Sequence, residues 1–238
     1  MSLLAAKVTE MSIYICRHAD KESTRYDSML SEEGHAQAFL LGQALAPAPN
    51  TSRYIMSSPY GRCLQTATAI SGQGGPLILV EYGLSEGPSH VPGSIPPFSS
   101  VHSAFPRIDT TYDTTLFEPS GETSQRHVLQ RCEPVARYIS DLWESCGGGS
   151  EIVVVTHGTV AMGLVVAMVR VQGEHSASCA LKTEGCCAAG YYKITRAPHT
   201  LHGPAWETDF TCHSGHIPNH KRTSGTTPIC YLQRDELR

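Results

Sequence analysis

Basic and acidic residues follow several short apolar stretches of this chain. The apolar segment IYIC leads directly into Arg17 and His18, and three further polar residues occupy similar places: Arg62, Glu86 and His157. Guanidinium groups offer planar forks that match phosphoryl oxygens. An imidazole beside them is a candidate nucleophile. These residues together predict a site that binds a phosphate group and acts on it.

Each of these side chains has a chemical role to offer. Neutral His18 would attack phosphorus while the arginines neutralise the approaching oxygens. Glu86 would protonate the leaving oxygen and later activate the water that frees the enzyme. This predicts an acid pH optimum, because the carboxyl group must carry a proton for the first step. The charge of a phosphoryl dianion would keep His157 protonated as a hydrogen-bond donor.

Strands that alternate with helices would bring these residues together. Parallel strands gather their ligands at their carboxyl ends, and each of the candidate residues follows a predicted strand or begins the helix after one. Strands are predicted around SIYIC, RYIMSS, LILVE and EIVVVT, with a later pair in CALKTEGCCAAGYYKITR. Helices are predicted after the N-cap Ser31, after the N-cap Ser58 with Pro59 in the first turn, over ETSQRHVLQRCEPVARYISDLW and over TVAMGLVVAMVRV. Pro134 should kink or divide the third of these helices.

The alternation predicts a three-layer α/β/α sandwich with a mostly parallel central sheet and helices on both faces. We expect a single domain over residues 1–238, with a loosely defined C-terminal segment at 198–238. Residues 87–121, rich in proline and serine, should form an irregular insertion over the site, because they begin directly after Glu86. Within it the candidates for contact with a leaving group are His102, Phe105, Arg107 and Tyr112, although packing is the preferred interpretation of Phe105 and Tyr112.

Composition excludes several classes of protein. The 238 residues are 40% hydrophobic and 17% charged, which suits one globular domain carrying insertions. A net charge of -4 provides no basic field for nucleic acid, and no apolar run approaches the length of a membrane helix. The nine scattered cysteines fit reduced thiols, which favours the cytosol or the nucleus. We expect a phosphorylated small molecule or phosphoprotein as substrate, and a homodimer is compatible with the sequence.

A histidine-rich segment near the C-terminus raises the question of a metal. The spacing of its side chains is permissive for zinc, and they are Cys212, His213, His216 and His220. Because no second ligand pair lies nearby, a polar loop is the preferred interpretation. The chemistry described above requires neither a metal nor another cofactor.

Six motifs occur in order along the chain: RHA after a strand, LSEEGHAQA, SSPYGRCLQTA, GLSEG, SGET and VVVTHG. This series resembles the histidine phosphatase superfamily, the phosphoglycerate mutase-like enzymes, over residues from about Ile13 to Val171. The phrases FPRIDTTY and SGETSQRHVLQRC make the chain most similar to the phosphatase domains of the ubiquitin-associated and SH3-containing proteins.

The resemblance implies that His18 forms a phosphohistidine intermediate and that Glu86 is the acid/base. It implies a phosphate pocket made of Arg17, Arg62 and His157. In that branch an arginine also occupies the third position after the histidine, where this chain has Lys21. Lysine keeps the charge but lacks the bidentate fork. Ala19 stands where glycine is the commoner residue.

Two alternatives stay open. A phosphoglycerate mutase-type phosphotransferase would need a longer segment with asparagine and tryptophan, whereas only ADKESTRYDSM separates His18 from Leu30. Hydrolysis is therefore favoured. A catalytically weak phosphate-binding or scaffold protein would fit the departures at Ala19 and Lys21, although every central residue of the motif set is present.

A cysteine-dependent phosphatase is excluded by spacing. Such an enzyme needs a cysteine and an arginine separated by five residues in a phosphate-binding loop. Cys132 and Arg137 are separated by only four residues, inside a predicted helix.

Overall fold

A six-stranded mixed sheet forms the centre of the protein. The computed structural model describes residues 12–25, 27–87, 95–114, 117, 119, 122, 124–146, 150–170, 185–196 and 206–222. The strands are β1 (Ser12–Arg17), β2 (Ser52–Ser57), β3 (Ile78–Val80), β4 (Ser150–Thr156), β5 (Tyr191–Arg196) and β6 (Trp206–Glu207). Their order is β3-β2-β4-β1-β5-β6. The first four are mutually parallel, β5 pairs antiparallel with β1, and β6 pairs antiparallel with β5.

The helices lie on both faces of this sheet. They are α1 (Glu32–Ala44), α2 (Gly61–Ser71), α3 (Phe98–Ala104), α4 (Gln125–Ser145) and α5 (Gly158–Arg170). One hydrophobic cluster joins α4 and α5 to one face, and a second cluster joins α1 and α2 to the other. The predicted three-layer α/β/α sandwich with a mostly parallel sheet is therefore confirmed.

Strand β4 shows why the central strands read as continuous apolar runs. Ile152 and Val154 belong to the cluster under α4 and α5, whereas Val153 and Val155 belong to the cluster under α1 and α2. Successive side chains of a strand point to opposite faces. Both faces of β4 are covered by helices, so every position in its middle is apolar.

Helix α4 runs without a break through Pro134, so the helix is not divided there, and a kink at Pro134 stays a prediction. Residues on both sides of the proline are fully buried, Cys132 and Val135 among them. Proline removes one backbone hydrogen bond, and the packing of this face against α5 is retained over the whole length of α4.

The insertion at 87–121 is not irregular throughout, which corrects the prediction. Its described part contains α3, and Val101 and Ile108 are buried in the cluster under α1 and α2. Ile108 forms a parallel bridge with Ile78 at the edge of the sheet. The insertion therefore lengthens the core beside β3.

Some predicted elements lie outside the described residues. These are the first strand of the pair that begins at Cys179, and the late strand TPICYLQR. Among the helices that the described ranges contain, none combines the length and the apolar character needed to cross a membrane.

Candidate active site

Neighbouring strand ends bring the first residues of the site together. Arg17 is the last residue of β1, and His18 follows it directly. His157 follows β4, which lies beside β1 in parallel register. The amide of His18 donates to the carbonyl of Thr156 over 2.8 Å. The two imidazole rings consequently lie edge to face, with their centroids 5.3 Å apart.

Arg62 connects other residues of the site by hydrogen bonds. It lies in the first turn of α2, is fully buried, and has the ring of Tyr60 at 4.8 Å from its guanidinium carbon. Its Nε donates to Nε2 of His18 over 3.3 Å. Its Nη2 lies 3.1 Å from Nδ1 of His157 and donates to a carboxylate oxygen of Glu86 over 2.6 Å.

Glu86 is the most exposed of these residues. It follows a short 3-10 helix, Tyr82–Leu84, which comes after β3. Its side chain is 40% exposed, and its Oε2 lies 3.8 Å from Nδ1 of His157. The carboxylate therefore stands at the open side of the site, where solvent can reach it.

Arg17 is held by the turn that precedes β5. Its backbone amide donates to the carbonyl of Gly190 over 2.9 Å, and its Nη1 donates to the carbonyl of Cys186 over 2.8 Å. The amide of Ala189 donates to the carbonyl of His18 over 3.1 Å. The turn thus fixes both Arg17 and His18 by backbone groups.

Hydrogen bonds define which nitrogen of His18 carries the proton. Nδ1 of His18 lies 2.7 Å from the carbonyl of Ala19. A carbonyl only accepts, so Nδ1 carries the proton. Nε2 is then the nitrogen with the free electron pair, and it faces Arg62. Burial, and next Arg62 and Arg17, hold the pKa of His18 well below its usual range, so the ring is neutral.

His157 has the opposite arrangement of its nitrogens. Nδ1 faces the guanidinium of Arg62, which only donates, and Nε2 lies 2.9 Å from the hydroxyl of Ser58. Nε2 therefore carries the proton. Burial and Arg62 hold the pKa of His157 well below its usual range. A dianion bound between the arginines would act in the opposite direction and raise the pKa of this ring.

The family model of the histidine phosphatase superfamily (branch 1) matches residues 13–197. This chain belongs to the histidine phosphatase superfamily. The superfamily named from the sequence motifs is confirmed, and the match extends beyond Val171, where the recognised motifs end. The narrower similarity to the ubiquitin-associated and SH3-containing branch stays a prediction. No match was found among curated proteins.

Solved structures with a similar fold come from several organisms. Ecdysone phosphate phosphatase from Bombix mori is 16% identical, with 93% of this chain and 99% of that chain covered and a TM-score of 0.67. Mycobacterial glucosyl-3-phosphoglycerate phosphatase is 21% identical, with 84% and 97% covered and a TM-score of 0.55. A phosphoserine phosphatase mutant from Entamoeba histolytica is 18% identical, with 87% and 100% covered and a TM-score of 0.56. At these identities the likeness establishes the shared fold.

Lys21 acts on His18 through its charge, and its contact with phosphate stays a prediction. Its backbone forms a bridge with Leu30, and its side chain is partly exposed. Its charge contributes the smallest of the effects that lower the pKa of His18. Lys21 therefore stands at the rim of the site.

Ser58 contacts the site and does not cap a helix as predicted. It was expected to cap the next helix, but α2 begins at Gly61 with Tyr60 at the capping position. The hydroxyl of Ser58 instead meets His157. Its position directly after β2, at the edge where the other strands end, is the signal that could have assigned it to the site.

Residues of the insertion pack it against the domain. The guanidinium of Arg107 donates to carbonyls in the loop between α2 and β3, including that of Gln73 over 2.7 Å. The hydroxyl of Tyr112 donates to Glu81 over 2.9 Å. The ring of His102 stacks on Phe98, and Phe105 packs against the cluster under α1 and α2. These contacts run to α2, β3 and the insertion itself.

The thiols of Cys63, beside His157, and of Cys132, in the core between α4 and α5, are protonated. Burial raises the pKa of Cys63 to about 12, although its sulfur lies 3.6 Å from Nε2 of His157. Burial likewise raises the pKa of Cys132 to about 12. A reactive thiol requires a lowered pKa, so neither sulfur is suited to nucleophilic attack.

The histidine-rich segment near the C-terminus packs against β5 and the turn before it. The ring of His213 stacks on Tyr191, and Nε2 of His216 lies 3.0 Å from the carbonyl of Ala189. Within the described ranges, no group of three or more histidine, cysteine or acidic side chains is arranged to hold a metal ion.

Proposed function

We propose that this protein is a phosphomonoester hydrolase that acts through a phosphohistidine intermediate on His18. The observation that carries the proposal is the position of Arg62. One guanidinium group reaches Nε2 of His18, Nδ1 of His157 and the carboxylate of Glu86 at the same time. A phosphoryl group bound by Arg17 and Arg62 would therefore lie between the nucleophile and the proton donor.

The first step transfers the phosphoryl group to the enzyme. Nε2 of His18 donates its electron pair to phosphorus, and the bond between phosphorus and the leaving oxygen breaks. Protonated Glu86 gives its proton to that oxygen, and Arg17 and Arg62 balance the negative charge of the equatorial oxygens. His157 adds a donor once the bound dianion has raised its pKa.

The second step releases phosphate. Glu86, now a carboxylate, accepts a proton from water while the oxygen of that water attacks phosphorus. The nitrogen–phosphorus bond breaks, and His18 regains its electron pair. Because the same carboxyl group must carry a proton in the first step, the pH optimum is acid.

Several observations support a phosphate ester as the substrate. Three structures of similar fold are phosphatases whose names specify ecdysone phosphate, glucosyl-3-phosphoglycerate and phosphoserine. We propose a phosphorylated small molecule or a phosphoprotein as substrate, for an enzyme of the ubiquitin-associated and SH3-containing branch. The described cysteines are free thiols, which supports a place in the cytosol or the nucleus.

The hydrolysis of p-nitrophenyl phosphate tests the proposal. We expect wild type to release phosphate with an acid optimum and His18→Ala to retain less than about one thousandth of that rate. His35→Ala is the matched control, because His35 is an exposed residue of α1, and its activity should stay at the wild-type level.

Trapping the intermediate identifies the nucleophile. A phosphoenzyme that is labile in acid and stable in base should form in wild type and not in His18→Ala. Full activity in His18→Ala would remove His18 from the mechanism. Phosphoryl exchange between phosphoglycerates in the presence of 2,3-bisphosphoglycerate would favour a mutase over a hydrolase.

A further inference from the structure

Side chains hold the segment that leads into Glu86. The carbonyls of three consecutive residues, Gly83, Leu84 and Ser85, each accept a hydrogen bond from a side chain. The guanidinium of Arg131 donates to the carbonyl of Gly83 through Nη1 and to that of Ser85 through Nη2, the latter over 3.0 Å. The segment before Glu86 is therefore shaped mainly by one arginine from a distant part of the chain.

Arg131 is itself fixed by a buried ion pair. Its Nε donates to one oxygen of Glu122 over 2.5 Å, and its Nη2 donates to the other over 3.2 Å. The side chains of Arg131 and Glu122 are 7% and 6% exposed. A bidentate pair of this kind fixes the plane of the guanidinium as well as its position.

The residue after Glu86 has no room for a side chain beside the same ion pair. A methyl group added to the α-carbon of Gly87 would lie 2.9 Å from a carboxylate oxygen of Glu122 and 3.2 Å from Nη2 of Arg131. It would also lie 2.3 Å from Val128, so only glycine fits there. The Arg131–Glu122 pair therefore binds the backbone before Glu86 and helps to exclude a side chain at the residue after it.

We infer that Arg131 is a positioning residue for Glu86, a role that rests on the proposed hydrolase mechanism. The charge of Arg131 contributes only the smallest of the effects that lower the pKa of His157. Its hydrogen bonds go to Glu122 and to the backbone before Glu86, so its main effect on the reaction passes through that backbone. Replacing a buried ion pair with apolar side chains often leaves stability unchanged or raises it. The Arg131–Glu122 pair would orient the carboxyl group of Glu86 toward the leaving oxygen, and apolar side chains in its place could not do this.

The inference predicts an effect that depends on the leaving group. Proton donation matters most when the departing oxygen is strongly basic, as in an alkyl phosphate. It matters least for p-nitrophenyl phosphate, whose leaving oxygen departs as a stable anion. A displaced Glu86 should therefore slow the hydrolysis of an alkyl ester more than that of the nitrophenyl ester.

The experiment compares kcat/KM for glycerol 2-phosphate and for p-nitrophenyl phosphate in three variants. The quantity compared is kcat/KM for glycerol 2-phosphate divided by kcat/KM for p-nitrophenyl phosphate. Glu86→Gln should lower this ratio the most. Arg131→Gln should also lower it, by about tenfold or more, since general acid catalysis contributes about 10²–10⁴-fold. Tungstate, which mimics phosphate, should bind Arg131→Gln nearly as tightly as wild type.

Arg53→Gln is the matched control for a general loss of stability. Arg53 forms an ion pair with Glu151, their side chains are 4% and 14% exposed, and the pair lies at the amino ends of β2 and β4, away from the site. Arg53→Gln should leave the ratio of the two kcat/KM values unchanged even where its melting temperature falls.

Three outcomes would overturn the inference. One is an equal loss on both substrates in Arg131→Gln, and another is the same change of ratio in Arg53→Gln. Should Arg131→Gln not fold, Glu122→Gln keeps the shape of the pair without its charge, and an unchanged ratio in Glu122→Gln is the third outcome.

A wild-type protein that hydrolyses neither ester would refute the hydrolase proposal itself, and the inference with it. If His18→Ala loses both activities but Arg131→Gln leaves the ratio of the two kcat/KM values unchanged, the hydrolase proposal stands and only the inference is refuted.

Discussion

The proposed site has two parts that are held in different ways. Arg17, His18 and His157 stand at the ends of adjacent parallel strands, and backbone hydrogen bonds from β4 and from the turn before β5 fix them. Glu86 stands beyond a short 3-10 helix, where side-chain donors from Arg131 and Thr156 fix the backbone before it. We call these the strand-end part and the Glu86 part.

This difference separates binding from proton transfer. The strand-end part depends on the sheet, whose geometry changes little when a single side chain is replaced. The Glu86 part depends on a few side-chain bonds across long sequence distances, so a single substitution can move it. Substitutions should therefore divide into those that weaken phosphate binding and those that change the response to the leaving group.

Arg62 should give the largest effect, because it belongs to both parts. Arg62→Lys keeps the positive charge but loses the fork that reaches His18, His157 and Glu86. We expect kcat/KM to fall by about 10²–10³-fold, the cost of removing one donor to the transition-state charge. Steady-state kinetics should show a large fall for both esters, with the greater fall for alkyl esters because Arg62 also contacts Glu86.

The exposed Arg137 on α4 provides the control for this variant. Arg137→Lys should keep wild-type kinetics. A loss in Arg62→Lys that is confined to alkyl esters would contradict the comparison, because it would place Arg62 in the Glu86 part alone.

The strand-end part is also the part that the sequence predicts well. Apolar runs locate the buried strands, and the ends of parallel strands meet at one edge, so the positions of His18 and His157 follow from local patterns. Arg131 was not predicted, although a signal exists. It lies at helical spacing with the buried residues Val128 and Val135, an unusual place for an unpaired arginine. Its partner Glu122 could be named only after folding.

Helix α1 gives a second example of a buried polar contact that the sequence does not predict. Helical spacing places Phe39 on one face with Leu40, which predicts a buried side chain, yet Phe39 is 60% exposed. Gln37 is fully buried instead, because its side chain accepts from the amide of Asp20 and donates to the carbonyl of Lys221. Helical periodicity counts apolar residues and does not show that a polar side chain will find buried backbone partners.

The two buried histidines should make stability depend on pH. The pKa values of His18 and His157 are held well below the usual value, which is about 6.5 in an unfolded chain. Below about pH 6.5 the unfolded state therefore binds protons that the folded state does not. The free energy of unfolding should fall as the pH is lowered, by up to about 1.4 kcal/mol per pH unit for each histidine, until the pH reaches the folded-state pKa values.

Thermal denaturation at a series of pH values measures this effect. His157→Asn should reduce the dependence and His35→Asn should not, since His35 is exposed. Tungstate should raise both pKa values, so it should bind more tightly as the pH falls from neutral. Tungstate affinity that is independent of pH across this range would mean that the histidines do not face the bound anion.

Lys21 should give the smallest effect, because it stands at the rim. Its charge acts on His18 less than those of Arg62 and Arg17 do, and its side chain is partly exposed. Lys21→Met should weaken tungstate binding by a factor of about 2–5, as expected for an exposed charge, and added salt should diminish the difference. Lys21→Arg should restore the affinity. A loss in Lys21→Met as large as that in Arg62→Lys, and insensitive to salt, would place Lys21 inside the strand-end part, with its ammonium group directly on the phosphate.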